Sequence, residues 1–434
     1  MSREKSDSEN RRVIVDLSWP KGHSINDAVE SDNYMGVDFL LTLPTIDNIL
    51  NAVKKFGKSC YIAKIDVSRA FRHVPLDPKD INHVGLFWKD YFIEKSLCFG
   101  FKHGSQLFQR LSQSVRFIMS EENFHTICYI DDYVLFGSKE QCSKAFHRLS
   151  DLVDELGFTI STHKNVMPTT EAVCLGILIN TVTSKMSVPP KKLQEIKHMV
   201  ENWSHKSTCS KNQLQSLLGS LLYVSKCVKH ARFFLNRLLQ TLRANNDKKF
   251  IKLGHNFQRD ITWFKKFVEK FNGTTFFIKE KVQGTVFLDA CLSGMGAIHE
   301  DEVYHLKVPK NFKSDNIATL EMLNILVAIR VWARKWHSKK ITIYCDNEAV
   351  VSVLNTGKTR DVKLAAISRN IFMISAENDI TFQFSHVKGK NNTVADLLSR
   401  WTDSESDLQK LHTLVPKVSW LKISEKCAEI DYEI

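Results

Sequence analysis

Two adjacent carboxylates lie between two apolar runs in the segment Tyr129-Ile130-Asp131-Asp132-Tyr133-Val134-Leu135-Phe136, and few folds tolerate that arrangement. Apolar residues on both sides of a short polar break predict strand, tight turn, strand. Two carboxylates at the tip of such a hairpin repel each other and resist dehydration. A divalent cation with oxygen ligands offsets both costs. The plainer reading of the same residues is an ordinary Asp-Asp turn.

A second apolar strand, Tyr61-Ile62-Ala63-Lys64-Ile65, ends at Asp66 and runs on through Val67-Ser68-Arg69-Ala70-Phe71 to a polar turn with Pro75 and Pro78. Acids at strand ends of one sheet can converge. Asp66, Asp131 and Asp132 would then hold two hard cations, which clamp the attacking and leaving oxygens of a phosphoryl transfer.

The pattern recurs downstream. Val286-Phe287-Leu288-Asp289-Ala290 and Ser293-Gly294-Met295-Gly296-Ala297 predict two strands joined by a tight turn. A helix from about Asn316 to Trp336 carries Glu321 among apolar neighbours, Leu320, Met322 and Leu323. Strand Ile341-Thr342-Ile343-Tyr344-Cys345 ends at Asp346, and Asp396 follows a further strand and loop. Four acids on separate elements, Asp289, Glu321, Asp346 and Asp396, would gather at one end of a mixed sheet and bind two cations again.

These residues resemble a reverse transcriptase followed by ribonuclease H. Asp66 stands in the first catalytic motif of the polymerase palm, and Tyr129 to Asp132 match its Tyr-x-Asp-Asp signature. By that resemblance Phe71 is the aromatic gate against a ribose 2′-hydroxyl, where composition alone suggests a core Phe. The resemblance makes Gly100 and Gln109 part of the segment that positions template and nucleotide, Lys164 a proton donor to the pyrophosphate leaving group, and Arg12 the grip on the incoming triphosphate. Cys98 and Ser105 depart from the prolines usual in that segment, and the fingers begin late. The string from Arg12 to Asp27 is most similar to polymerases of DIRS-like retroelements. In the second half, His386-Val387-Lys388-Gly389-Lys390 and Ala395-Asp396-Leu397-Leu398-Ser399-Arg400 resemble the closing stretch of retroelement ribonuclease H. His386 is implied to lie on a mobile loop beside the cations and to assist turnover. Leu288 and Met295 replace residues common in that family, and neither removes a ligand.

Between the two acidic constellations the composition changes. Residues 191–280 hold 18 Lys plus Arg against 6 Asp plus Glu, and the rest of the chain balances at 42 against 42. Leu214, Leu217, Leu218, Leu221 and Leu222, and then Phe233, Phe234, Leu238 and Leu239, recur at helical spacing. A basic helical surface is suited to phosphate backbones. Trp203, Tyr223 and Trp263 read as packing residues. Val188-Pro189-Pro190 marks a junction, because paired prolines resist both helix and central strand.

The expected organisation is a right-hand polymerase fingers and palm over 1–186, with fingers shortened at the N-terminus, a basic helical thumb and connection over 187–280, and a ribonuclease H-like mixed sheet with helices over 281–401. A tail follows over 402–434. In class this is an α+β and α/β multidomain protein. The expected activity is RNA- and DNA-directed DNA synthesis with cleavage of the RNA strand of hybrids. Expected partners are an RNA or DNA template, a DNA primer, an RNA-DNA hybrid, deoxynucleoside triphosphates and two Mg²⁺ per site, with Mn²⁺ as the alternative. A decayed or domesticated copy that binds nucleic acid without polymerising is the rival. Ten cysteines without Cys-x-x-Cys pairs argue against a zinc site and for an intracellular setting, cytoplasmic or nuclear. No signal peptide or membrane-spanning run is apparent.

Overall fold

The computed structural model describes residues 14–30, 33–34, 37–38, 40–228, 231–245, 247–270, 272–275 and 282–432, so Arg12 lies outside the described residues. The chain divides into two compact units, residues 1–186 with 275–277, and residues 187–274 with 278–434.

The first unit is organised by helix α1 (Ile46–Phe56), strand β1 (Tyr61–Asp66), helix α2 (Gly104–Glu121), strands β2 (His125–Tyr129) and β3 (Asp132–Gly137), helix α3 (Lys139–Glu155) and strand β4 (Val166–Thr169). The sheet order is β2-β3-β1-β4, antiparallel throughout. Local sequence explains the helix starts. Thr45 with Asn48, and Ser138 with Gln141, form capping boxes that satisfy amides otherwise left open at the first turn. The apolar faces of α2 and α3 close over the sheet through Phe108, Met119, Leu149, Ile65 and Leu135, each fully or almost fully buried. Each such side chain stabilises the unit by about 1.5–3 kcal/mol. Because β1 is central and pairs with β3 in register from Tyr61↔Gly137 to Asp66↔Asp132, the core fixes where the acids lie.

The second unit starts with four helices, α4 (Pro190–Ser204), α5 (Lys211–Val224), α6 (Ala231–Ala244) and α7 (His255–Phe267). Pro190 sits at the first turn of α4, where its missing N–H costs nothing. Leu214, Leu217, Leu218 and Leu221 are buried as their spacing predicts, whereas Leu222 is 41% exposed, one position off the stripe. Trp203 and Trp263 are buried, and Trp263 stacks on Phe234 with ring centroids 3.8 Å apart.

Strands β5 (Gly284–Ala290), β6 (Gly294–His299), β7 (Glu302–Lys307), β8 (Lys340–Cys345), β9 (Thr381–His386) and β10 (Ser419–Trp420) form a sheet in the order β9-β8-β5-β6-β7-β10. Strands β5, β8 and β9 are parallel, and the β5-β6-β7 meander is antiparallel. Helices α8 (Ile317–Trp332), α9 (Glu348–Thr356), α10 (Val362–Glu377), α11 (Thr393–Ser399) and α12 (Glu405–Leu414) complete the unit. Helix α8 is buried on every side from Thr319 to Ile329, as expected of a helix that is apolar all round. It begins at an Asn316 cap, and its last predicted turn, Ala333–Trp336, tightens to a 3-10 helix.

Residues 402–434 contain more than a tail. Strand β10 extends the sheet beside β7, Leu411 packs with Val303, Leu398 and Trp401, and Ala428 enters the main core against α8. Arg330 on α8 donates to the Cys427 carbonyl at 2.9 Å, and Asn370 on α10 exchanges two hydrogen bonds with the Asp431 backbone.

Candidate active sites

In the first unit, the β2–β3 hairpin puts Ile130 at its turn with φ 54°, a left-handed conformation that β-branched residues resist. Two residues on one face of α2 hold it there. Ile130 donates its N–H to Gln109 Oε1 at 2.6 Å, Gln109 Nε2 donates to the Cys128 carbonyl at 3.1 Å, and the Ser112 hydroxyl donates to the Ile130 carbonyl. Val67 donates to the Asp131 carbonyl, which ties the hairpin tip to the end of β1. Gln109, expected to meet substrate, is thus 3% exposed, with both ends of its amide engaged by the turn.

Asp66 and Asp132 face each other across the ladder. Burial pushes the Asp131 carboxyl above its ordinary value, and the charges of Asp66 and Asp132 add to the effect. Lysines answer this negative charge: Lys164 donates to Asp66 Oδ1 at 2.8 Å, and Lys64 Nζ stands 3.6 Å from Asp132 Oδ1. Lys164 therefore meets an acid here, where a role with the leaving group was expected. Phe71 lies in a 3-10 turn that follows the end of β1 and is half-buried, with its ring 5.0 Å from Phe99 and 6.0 Å from Phe108. Gly100 has φ 114°, and a Cβ there would stand 1.9 Å from the Val15 carbonyl oxygen, so only glycine lets the strand segment at Ile14 run alongside Phe99.

In the second unit, Asp289 near the end of β5, Glu321 on α8, Asp346 just past β8, and Asp396 on α11 line one cleft of about 700 Å³, together with Cys291, Ser293 and Arg400. Asn324, one turn beyond Glu321, donates to the carbonyls of Asp289 and Gly296 and accepts from Tyr304, so that α8 braces the β5–β6 hairpin from inside the core. A Cβ at Gly296 would stand 2.4 Å from Leu398 Cβ, and this close approach seats α11 and therefore Asp396.

Burial dominates the electrostatics of this cleft. It lifts Asp289 to about 6 and Glu321 to about 8, with neighbouring carboxylates adding to the rise. Asp289 Oδ2 and Asp346 Oδ1 are buried with no hydrogen-bond partner. Acidic oxygens without donors, in a cleft walled by four carboxylates, fit a hard divalent cation. Among the described residues, one set of possible ligands has donor atoms all within 4.8 Å of one another: Glu321, Cys345 and Asp346. Asp289 and Asp396 lie outside that set, and Arg400 draws Asp396 to 2.8 Å. Asp66, Asp131 and Asp132 form no such set, and lysines contact two of the three. The first trio fits cations by its chemistry; the second cluster also does so by its unsatisfied oxygens.

His386 is the last residue of β9, with its Nε2 3.2 Å from the Asp346 carbonyl oxygen and its Nδ1 3.8 Å from Glu348. Sequence reading missed Ser112, Lys64, Asn324 and Cys345. Ser112 lies three residues after Gln109, a spacing that places both on one helix face. Cys345, the last residue of β8, donates to Glu321 Oε2 at 2.9 Å and accepts from the Asn347 amide at 3.5 Å, and burial pushes its thiol upward.

The two units thus present an antiparallel sheet with acids at its strand ends and a mixed sheet with four acids in one cleft. Residues 5–179 match the family of reverse transcriptase, RNA-dependent DNA polymerase, and residues 289–402 match a reverse transcriptase-like family. Polyprotein P3 of Commelina yellow mottle virus is 24% identical over 406 residues, covering 87% of this chain and 19% of the polyprotein. The enzymatic polyprotein of cauliflower mosaic virus is 24% identical over 412 residues, 90% of this chain and 55% of its own length. The Pol polyprotein of the Drosophila melanogaster transposon 297 is 21% identical, over 91% of this chain and 35% of its own length. The chain therefore spans between about a fifth and just over half of these relatives. A foamy viral protease-reverse transcriptase solved with double-stranded DNA has the same fold, with a TM-score of 0.50 at 14% identity, over 86% of this chain and 62% of that one. The two family matches fall one on each compact unit, and the relatives of similar sequence are polyproteins of plant viruses and of a transposon. No helix among the described residues is long and apolar enough to cross a membrane.

Proposed function

We propose that this chain is the polymerase and nuclease portion of a retroelement, extending a DNA primer on an RNA or DNA template and cleaving the RNA strand of the hybrid that results. The observation that carries the reading is the pairing of two acidic centres, one on each unit, with the hairpin turn at Ile130 held by Gln109 and Ser112 so that Asp131 and Asp132 stay beside Asp66. Asp66, Asp131 and Asp132 would hold two divalent cations, Mg²⁺ being favoured by the all-oxygen donor set and Mn²⁺ acceptable to it. Bound there, the cations supply Lewis acidity to the attacking and leaving oxygens. Phe71, in the turn that follows β1, would exclude a 2′-hydroxyl. Lys164 donates to Asp66 Oδ1 and would orient that carboxylate at the edge of the site. In the other cleft Asp289, Glu321, Asp346 and Asp396 would hold the cations, and His386 would stand at the rim beside Asp346. Recognition of the hybrid there would rest on groove shape and 2′-hydroxyls, with the basic helices α4 to α7 on the phosphates. The DIRS-like subtype rests on the string from Arg12 to Asp27, and a tyrosine recombinase frame in the same element would test it.

Primer extension and hybrid cleavage by the full chain in Mg²⁺ test the reading. Asp131→Asn is expected to abolish extension and spare cleavage, and Asp346→Asn to do the reverse. Loss of both activities in either folded variant would refute two independent centres, and binding of nucleic acid with neither activity in the wild type would favour the decayed copy.

A further inference from the structure

Behind the acidic cleft of the second unit, outside the residues that line it, lies an atom that hard-cation chemistry does not require. Cys345 Sγ lies 2.9 Å from Glu321 Oε2, and these two with Asp346 are the residues whose donor atoms fall within 4.8 Å of each other. Cys345 ends β8 in the core against α8, which is where Glu321 projects. The same cleft holds the unpartnered Asp289 Oδ2, on a side chain 5% exposed, and the unpartnered Asp346 Oδ1. The cleft is short of positive charge, and a sulfur donor lies against two of the acids that line it.

We propose that Cys345, Glu321 and Asp346 bind a thiophilic divalent cation of the zinc class, in a mode that overlaps the hard-cation site and shuts off cleavage. The proposal rests on the reading of these acids as a cation centre. Thiolate prefers zinc-class cations, whereas carboxylates alone suit Mg²⁺ and Mn²⁺. Donor atoms around one tetrahedral zinc lie about 3.3–3.8 Å apart, given metal–sulfur and metal–oxygen distances of about 2.3 and 2.0–2.2 Å. The Cys345–Glu321 pair therefore needs to open by less than an ångström. On binding, the sulfur donates a lone pair to the cation and its S–H proton passes to solvent, as does the Glu321 proton wherever that carboxyl is protonated beforehand. Glu321 loses the thiol as hydrogen-bond donor and gains the cation in its place. The trio Asp66, Asp131 and Asp132 has no equivalent set, so the two activities would separate by cation: a trace of zinc-class metal would silence the nuclease and leave extension running.

The test is titration of the full chain with Cd²⁺ alone, read by the ultraviolet thiolate-to-cadmium charge-transfer band, for wild type, Cys345→Ser and Glu321→Gln. The nine other thiols are common to all three proteins, so the difference between wild type and Cys345→Ser isolates this one. The expected result is one band equivalent in wild type, absent in Cys345→Ser, with Cd²⁺ affinity about 10–100-fold weaker in Glu321→Gln, at least the loss that follows removal of a supporting partner. The same band in Cys345→Ser, or no difference between wild type and Glu321→Gln, would overturn the proposal. Should Cys345→Ser fail to fold, Glu321→Gln and competition of the wild-type band by Zn²⁺ decide alone, and a band insensitive to both overturns it. Hybrid cleavage in Mg²⁺ is measured separately: cleavage without the band refutes this proposal only, and the band without cleavage refutes the nuclease reading and leaves the site.

Discussion

Replacing Gln109 by Met keeps the length of the side chain and removes its amide. Two backbone groups at the hairpin then lose their partners, the Ile130 N–H and the Cys128 carbonyl, in a place where Gln109 itself is 3% exposed. Each buried unsatisfied group costs about 1–3 kcal/mol, and the left-handed Ile130, itself strained by about 1–2 kcal/mol, gains freedom to relax. Relaxation of the turn recovers part of the loss, so a net destabilisation of about 2–4 kcal/mol is expected, equivalent to roughly 4–16 °C in the melting temperature of a unit of this size. A tip displaced by about 1 Å carries Asp131 and Asp132 with it and costs on the order of 100-fold in rate. Single-turnover primer extension, with primer-template affinity measured in parallel, separates the effects. The expected pattern is a slower chemical step with unchanged affinity, and sub-additivity with Ser112→Ala, because both side chains hold the same residue. A variant that loses nucleotide or template affinity while keeping its rate would refute the positioning role and return Gln109 to substrate binding.

Glu321→Gln probes the other cleft. Burial raises Glu321 to about 8, so this group favours the fold below its ordinary value near 4.5, and that contribution is lost as the pH rises toward 8. Without divalent cations the variant should therefore melt higher than wild type, by nothing at pH 4.5 and by about 3 kcal/mol at pH 7, an upper value because Asp289 and Asp346 share the effect; parallel melting curves across that range would refute it. Phe71→Val should admit ribonucleotides, and discrimination equal to wild type would make Phe71 a packing residue against Phe99 and Phe108. Asn324→Leu removes donors to two strand carbonyls and an acceptor for Tyr304, so hybrid cleavage and the stability of the second unit should fall together by about 2–4 kcal/mol in stability, with extension unaffected; cleavage at the wild-type rate would show that the hairpin is held without it.

The elements that carry the acids were legible because each ends an apolar strand or sits in an apolar helix, and burial periodicity is a local property of sequence. Asp66, the turn at Asp131 and the helix around Glu321 fall where their neighbours predict. What surrounds the acids was not legible, because it comes from elsewhere in the chain. Lys164 reaches Asp66 across 98 residues, and Cys345 reaches Glu321 across 24. Cys345 also follows strand alternation, which reads as core on the sequence and is core in the structure; only the identity of the helical residue facing it changes its meaning. Gln109 illustrates the reverse case, in which a resemblance located the residue and the structure adds contacts with the hairpin turn that its sequence neighbours do not reveal.

The segment beyond Trp401 bears no recognisable motif, yet Ala428 lies in the main core, and Leu421, Ile423, Cys427 and Ile430 pack against it. Selection on such a segment acts on shape and spacing, since backbone carbonyls make its contacts with Arg330 and Asn370 and any residue supplies a carbonyl. Its sequence is free to diverge while its apolar rhythm is held. Among related elements this stretch will therefore be found by the interval between small and branched apolar residues after the last acidic motif, where residue identity fails. A proteolytic cut within it would bare the flank of the helix that carries Glu321, turning a loss of covering surface into a disturbance of the acidic cleft at a distance.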